Sequence, residues 1–429
     1  MRTFRTRIGW LAAALVTVAP LAGAAPGAAA PADTARATDG PTVEERRLGL
    51  EAPREILRRS GFDRVAPQFA RALAGARSSA AAQRVVTRYG QQLWDRAVAR
   101  AQGRGPAGGD LSRDDDRPLY WARLGMTRAL GEWQPAFPLS DAKRAALLTE
   151  LERTSRGQDS IRLPGGKGVK RILVTGFDPF QLDADPRRSN PSGAAALALD
   201  GTTIRTASGP ARIETAIFPV RWDDFAGGTV ERALLPHFKA GPRQVDAFTT
   251  ISQGRPGQFD LERTNGAWRG GYGDNLNLSR TGVAPLPPGV PTPKPQPQWT
   301  TTSLPYQQIV AAKTGPFPVR DNTSVTEIPA GGDTPVVRPD GPTPGSVARA
   351  GGGGDYLSNE IAYRATLLRD AVGLNAPGGH LHTPILEFAA DNTNPATGTV
   401  TDPTFVHNRR TITAQVRAVI AVTAGTVRR

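Results

Sequence analysis

Histidine is scarce in this 429-residue chain and cysteine is absent, so the groups able to move protons or attack a carbonyl are few. His237 and His407 sit in contexts that suggest no chemistry, whereas His380 and His382 lie two apart in PGGHLHTPIL (377–386). On a strand both rings would face the same side. A His-x-His pair can ligate a metal, but no cysteine and no third ligand accompany it, and the pattern fits a chain that uses neither metal nor cofactor. A second segment of interest is GGGGDYLSNEIAYRA (351–365), a glycine run leading into a helix. Such a helix start aims backbone N–H groups and the positive end of the helix dipole at the space before it, which suits a developing oxyanion. Ser358 would place a hydroxyl there, although a lone serine ahead of Asn359 and Glu360 is more simply a helix N-cap. Glu262, beside Arg263, reads on its own as an exposed charge pair.

The elements that would have to position these groups can be read in order. In KRILVTGFDPF (170–180) the apolar run Ile172 to Val174 suits a buried parallel strand that delivers the following loop to the carboxyl edge of a sheet, where ligands collect. Asn190 and Pro191 then open an alanine-rich helix, with proline at the first helical position. Arg212 to Val220 and VDAFTTIS (245–252) read as strands, Phe225 to Phe238 as a helix, and Thr301 to Lys313 as a turn and a helix. Arg410 to Ala424 closes the chain with an amphipathic helix. Strands alternating with helices imply an α/β fold, a mostly parallel sheet flanked by helices in three layers. Two proline- and glycine-rich stretches, near 280–299 and 316–350, read as surface loops.

Before this α/β region (165–429), residues 31–164 form a helical N-terminal region without a chemical motif. Thr42 and Glu45 make a capping box, Ser140 is a helix cap, and Val85, Val86, Tyr89, Leu93 and Ala97 recur at helical spacing. Breaks are expected at Gly61, Gly75 and between Gly103 and Asp116. Residues 1–30 carry three arginines, an apolar segment from Trp10 to Leu21 and then small residues, the layout of a secretory signal peptide, so export to the extracellular side is expected. The apolar part is interrupted by Pro20 and too short to span a bilayer. A chain held without disulfides outside the cell must rely on its core, which this length permits.

Four blocks in sequence order carry a family resemblance: TGFDPF with SNPSGAA (189–195), ISQGRPGQFDLERTNGAW (251–268) with Gly273-Asp274-Asn275, GDYLSN (354–359) and HTP (382–384). Together they resemble pyroglutamyl peptidase I, the pyrrolidone-carboxylate peptidases, over about 170–424. The resemblance implies an α/β peptidase with Glu262 at the catalytic glutamate, His382 at the catalytic histidine and Ser358 at the nucleophilic cysteine. Phe177 and Phe180 fall on the aromatic walls of a pocket for a five-membered lactam ring, and Gln253 on a group that bonds the ring amide. Two departures stand out: His380 occupies a position where an apolar residue is expected, and Gly271 and Tyr272 replace an arginine before Asp274-Asn275, leaving Arg269 as the nearest candidate.

Amide hydrolysis needs a nucleophile, a base, a group orienting that base and donors for the oxyanion; Ser358, His382, Glu262 and the helix start could supply all four. A hydroxyl requires an aligned base more strictly than a thiol, but escapes oxidation outside the cell. Two readings therefore stand: a secreted hydrolase acting on peptides with N-terminal pyroglutamate or a related cyclic amide, and an inactive relative that binds peptide ends. The net charge of +14 favours contact with an anionic cell surface. Its arginines are dispersed and not interleaved with aromatics, which points away from a dedicated nucleic-acid site.

Overall fold

The computed structural model describes residues 40–166 and 168–427; the expected signal peptide lies outside them. The helical region begins with α1 (Val43–Arg46), where Thr42 Oγ1 accepts from Glu45 N at 3.2 Å and Glu45 Oε2 accepts from Thr42 N at 2.8 Å, the reciprocal capping box. There follow α2 (Glu51–Ser60), α3 (Val65–Ala74), α4 (Ser79–Ala101), α5 (Arg117–Glu132) and α6 (Asp141–Thr154). Gly61 ends α2 with φ +73°, a left-handed turn that suits glycine. Val86, Leu93 and Ala97 of α4 face a core shared with α3, α5 and α6, and that core runs on into Ala196, Leu197 and Ile217 of the α/β region.

That region starts with β1 (Lys170–Phe177), α7 (Pro191–Leu199), β2 (Thr202–Thr206) and β3 (Gly209–Phe218). As expected from Asn190-Pro191, the Asn190 side chain caps α7 by accepting from Ser192 N. The segment expected as one helix is two, α8 (Trp222–Ala226) and α9 (Thr229–Phe238), because the chain turns at Gly227-Gly228, with Gly228 at φ +82°. Then come β4 (Ala247–Gln253), β5 (Phe259–Glu262), the short strands β6 (Thr264–Gly266), β7 (Trp268–Gly270), β8 (Thr281–Val283) and β9 (Trp299–Thr301), and α10 (Tyr306–Ala311). The chain closes with β10 (Val319–Asn322), β11 (Val325–Ile328), β12 (Val336–Arg338), β13 (Val347–Ala350), α11 (Leu357–Ala371), β14 (Gly378–Thr383) and α12 (Pro403–Thr426).

Seven strands make the central sheet in the order β10-β5-β14-β4-β1-β3-β2. The middle four, β14, β4, β1 and β3, are parallel; β2 runs against β3, and β5 runs against β14. Side chains alternate along β1, so Leu173 faces a core with Phe225, Val230 and Ile361 while Ile172 and Val174 face one with Ala195, Ile412 and Val416. Helices α8, α9 and α11 thus cover one face and α7, α10 and α12 the other. This is the expected three-layer α/β architecture.

The stretch read as a surface loop at 316–350 is corrected. It supplies β10, the edge strand of the main sheet, and a separate antiparallel sheet in the order β12-β11-β13. Its strands are three or four residues long and separated by Gly/Pro turns, so turn chemistry dominates the composition and hides them. In the other stretch, β8 pairs with β7.

A chain of buried ion pairs joins the helical region to the loop after β1. Asp178 accepts from Arg156 at 2.8 Å and from Arg123 of α5. Arg156 also pairs with Glu152, Glu152 with Arg221 at 2.7 Å, and Arg221 with Glu44 at 3.2 Å. Despite burial, Arg156 and Arg221 hold the Glu152 carboxyl well below the usual range. Removing Asp178 leaves the buried Arg123 guanidinium without its carboxylate partner and Arg156 with Glu152 alone. Asp178→Ala should therefore lower the unfolding free energy by about 3–5 kcal/mol in a urea titration; a loss below about 1 kcal/mol would show that this clasp does not hold the loop.

Candidate active site

The pocket forms at the carboxyl edge of the parallel strands, where β1 and β4 deliver their ends beside the start of α11. Phe177, the last residue of β1, is buried and stacks on Phe225 at 6.0 Å. Phe180 follows in the loop, 6.2 Å from the Tyr356 ring. Phe177, Phe180, Gln253 and Ser358, four residues expected to share a site, line one pocket together with Ser252 and Tyr356. The free space is narrow, about 30 Å³, between aromatic walls. One more lining residue, Asn190, is held from the helical region, since Asp116 accepts from Asn190 N at 2.9 Å and from the Ser189 hydroxyl. Burial, reinforced by neighbouring Asp115, pushes the Asp116 carboxyl up to about 6.

His382 and Glu262 meet beside this pocket. Antiparallel pairing of β14 with β5 sets Glu262 opposite His380 and Asp260 opposite His382, and the Glu262 carboxylate reaches across to His382. His382 Nδ1 lies 2.6 Å from Glu262 Oε1, with Glu262 fully enclosed and His382 nearly so. Nδ1 donates to the carboxylate, which leaves Nε2 as the ring nitrogen able to take a proton. The second oxygen of Glu262 accepts from Asn322 Nδ2 at 2.6 Å, and the same amide group donates to Gly352 O at 3.0 Å.

Ser358 lies in the first turn of α11, whose N-cap is Tyr356, so the serine is inside the helix rather than its cap. Its hydroxyl donates to Gly353 O at 3.0 Å, not to His382. Gly353 separates the two: a Cβ added there would sit 3.2 Å from His382 Cε1 and 3.5 Å from Asn359 N. Serine, histidine and carboxylate are thus gathered around one glycine loop, with the base oriented and the hydroxyl turned away from it.

The remaining expected residues have structural partners of their own. His380 has a hydroxyl partner at each ring nitrogen: Thr250 Oγ1 and Ser252 Oγ each lie 2.8 Å from one of them. Arg269, the nearest candidate for the missing arginine, is engaged inside the protein. Its guanidinium is buried, making two 2.6 Å bonds to Glu360 and lying over the Trp222 ring. Tyr272 is instead 64% exposed, edge-on to Tyr356. Sequence reasoning missed Asn322, because it lies in the stretch taken for a loop, and Ser252, which lies inside the second motif block but has no role assigned by the resemblance.

A mostly parallel sheet between helical layers, with an imidazole–carboxylate pair beside an edge pocket, defines a three-layer α/β protein with a candidate active site. Two family profiles match the chain, described as the PA0049 N-terminal domain over residues 24–152 and the PA0049 C-terminal domain over residues 171–295 and 317–387. The Pseudomonas aeruginosa protein called uncharacterized protein PA0049 is 35% identical over 537 aligned positions, taking in 95% of this chain and 96% of that protein. The chain belongs to the PA0049 family. Among solved structures, a mutant pyrrolidone carboxyl peptidase of the hyperthermophile Pyrococcus furiosus is similar over 59% of this chain and 98% of its own, with 19% identity and a TM-score of 0.39. Bacillus amyloliquefaciens pyroglutamyl peptidase I is similar over 60% of this chain and 98% of its own, with 20% identity and a TM-score of 0.39.

The Nδ1 proton between His382 and Glu262 should give a downfield proton NMR line that disappears in Glu262→Ala. Gly352→Ala should shift it, because a Cβ there would lie 2.4 Å from Glu262 Oε2, whereas Gly165→Ala, in open space, should leave it in place. An unmoved line in Gly352→Ala would mean that the glycine loop does not confine the carboxylate.

Proposed function

We propose that the chain is an exported serine hydrolase that removes N-terminal pyroglutamate, or cleaves a related cyclic amide, through Ser358, His382 and Glu262. The observation that carries this reading is the enclosed His382–Glu262 pair beside the helix turn that bears Ser358. The motif resemblance, the layout of residues 1–30 and the aromatic slot support it. A flat lactam ring would lie between Phe177 and Phe180, its edges within reach of Gln253.

In the reaction, the Ser358 hydroxyl leaves the Gly353 carbonyl and turns to His382 Nε2. Its oxygen attacks the scissile carbonyl while Nε2 takes the proton, and Glu262 stabilises the imidazolium through Nδ1. The negative charge that builds on the carbonyl oxygen meets the free N–H groups of the first turn of α11. Collapse expels the amine, which collects the proton from His382. Water, deprotonated by the same nitrogen, then releases the acid and restores the serine. The substrate in this reading is a peptide, and the net positive charge of the chain favours contact with an anionic cell surface.

One observation favours a second reading, in which the chain binds peptide ends without turnover: the Ser358 hydroxyl is engaged by Gly353 O. Release of a fluorogenic amine from a pyroglutamyl amide separates the two. The native chain should turn over, and Ser358→Ala should reduce kcat by about a thousandfold or more, leaving only what binding and the oxyanion site supply. Silence from the native chain together with turnover by Ser358→Cys would instead establish an intact site without a working nucleophile.

A further inference from the structure

The pocket contains a second hydroxyl, and its orientation is set by a histidine that the reaction does not use. Ser252, near the end of β4, is 4% exposed and lines the same pocket as Ser358 and Phe177. His380, on the neighbouring strand β14, is completely enclosed. Burial, with His382 close by, keeps its imidazole well below the usual range, so the ring is neutral and carries one proton. Where that proton sits is set by the partners. Thr250 Oγ1 donates to the Gly379 carbonyl at 3.2 Å and is then an acceptor for His380 Nδ1 at 2.8 Å. Nδ1 therefore holds the ring proton and Nε2 is a bare acceptor. Ser252 Oγ, 2.8 Å from Nε2, must point its own proton at the ring.

A hydroxyl fixed in this way has lone pairs to offer the pocket and no proton. We propose that Ser252 is the acceptor that reads the ring N–H of a bound lactam, with His380 as the positioning residue that denies Ser252 the role of donor. The inference rests on the lactam reading of the pocket given above. It also gives a purpose to His380, whose position the motif resemblance would fill with an apolar side chain. A ring N–H facing Ser252 is satisfied inside aromatic walls. A ring oxygen in its place sets lone pair against lone pair at Ser252, so the pocket should disfavour a lactone of the same shape.

The test compares two ligands by titration calorimetry on the full chain: pyroglutamate, and the γ-lactone of 2-hydroxyglutarate, which differs at the ring N–H alone. The native chain should prefer the lactam roughly ten- to a hundredfold, the range expected for one buried donor left paired or unpaired. Ser252→Ala should bring the two ligands to within about threefold, and Ser252→Thr, which keeps the hydroxyl, should restore the preference; equal melting temperatures exclude a folding defect. If Ser252→Ala binds lactam and retains the preference, another group reads the N–H and the inference fails while the lactam reading stands. If the native chain binds neither ligand, the lactam reading fails and takes the inference with it. If Ser252→Ala binds both ligands as the native chain does but loses all turnover of a pyroglutamyl amide, Ser252 is the nucleophile and not the reader.

Discussion

The site depends on a change of strand direction. Four central strands run parallel and would by themselves point their carboxyl ends at one edge, bringing loops together but giving the His382 imidazole no carboxylate partner from within the sheet. Because β5 enters antiparallel to β14, Glu262, at the end of β5, arrives opposite His380 and beside the final residues of β14, and its side chain reaches His382. The next strand outward, β10, runs with β5 and sets Asn322 opposite Glu262, where it holds the second carboxylate oxygen. Two strands of reversed direction thus fix the rotation of one ring. A carboxylate held on both oxygens in a dry setting cannot swing away, and this is what orienting an imidazole demands.

The helical region works on the same pocket from the other side. Arg123 and Arg156 grip Asp178, which lies between Phe177 and Phe180, and Asp116 grips Ser189 and Asn190 at the next turn. Asn275 adds a bond to Pro179 O at 2.9 Å. The loop after β1 is therefore anchored at several points by groups from outside the sheet. Apolar packing between α4 and α7 brings the layers together, and the buried charges fix which loop conformation is kept, since each carboxylate has a place only when its arginine faces it.

The parts of this arrangement that are legible in the sequence are those with local causes. The Thr42 capping box, the Asn190-Pro191 helix start and the apolar run of β1 each declare themselves within a few residues, and the alternation of strands with helices is enough for the fold class. Phe177, Phe180, Gln253 and Ser358 can be placed in one pocket because motif order carries them there. The features that stay hidden have causes elsewhere in the chain. Asn322 and Ser252 are ordinary polar residues until a neighbouring strand is laid beside them. The fate of Arg269 is decided by Glu360, far along the chain, and no pattern around Gly271 announces that pairing. Strands of three or four residues among prolines and glycines, as in β11 to β13, fall below the length at which alternation can be seen.

The segment 316–350 carries a consequence for shortening the chain. By composition it is the first piece to trim, an insertion of prolines and glycines at the periphery. Its first strand, however, covers the edge of β5 and sends Asn322 to Glu262. Excision would uncover a row of unpaired backbone groups along β5, an invitation to edge-to-edge association between copies, and would leave one oxygen of the carboxylate without its donor. In this protein the smallest unit that keeps the site intact and the minimal compositional unit do not coincide, and the boundary of a useful fragment must be drawn around the appendage.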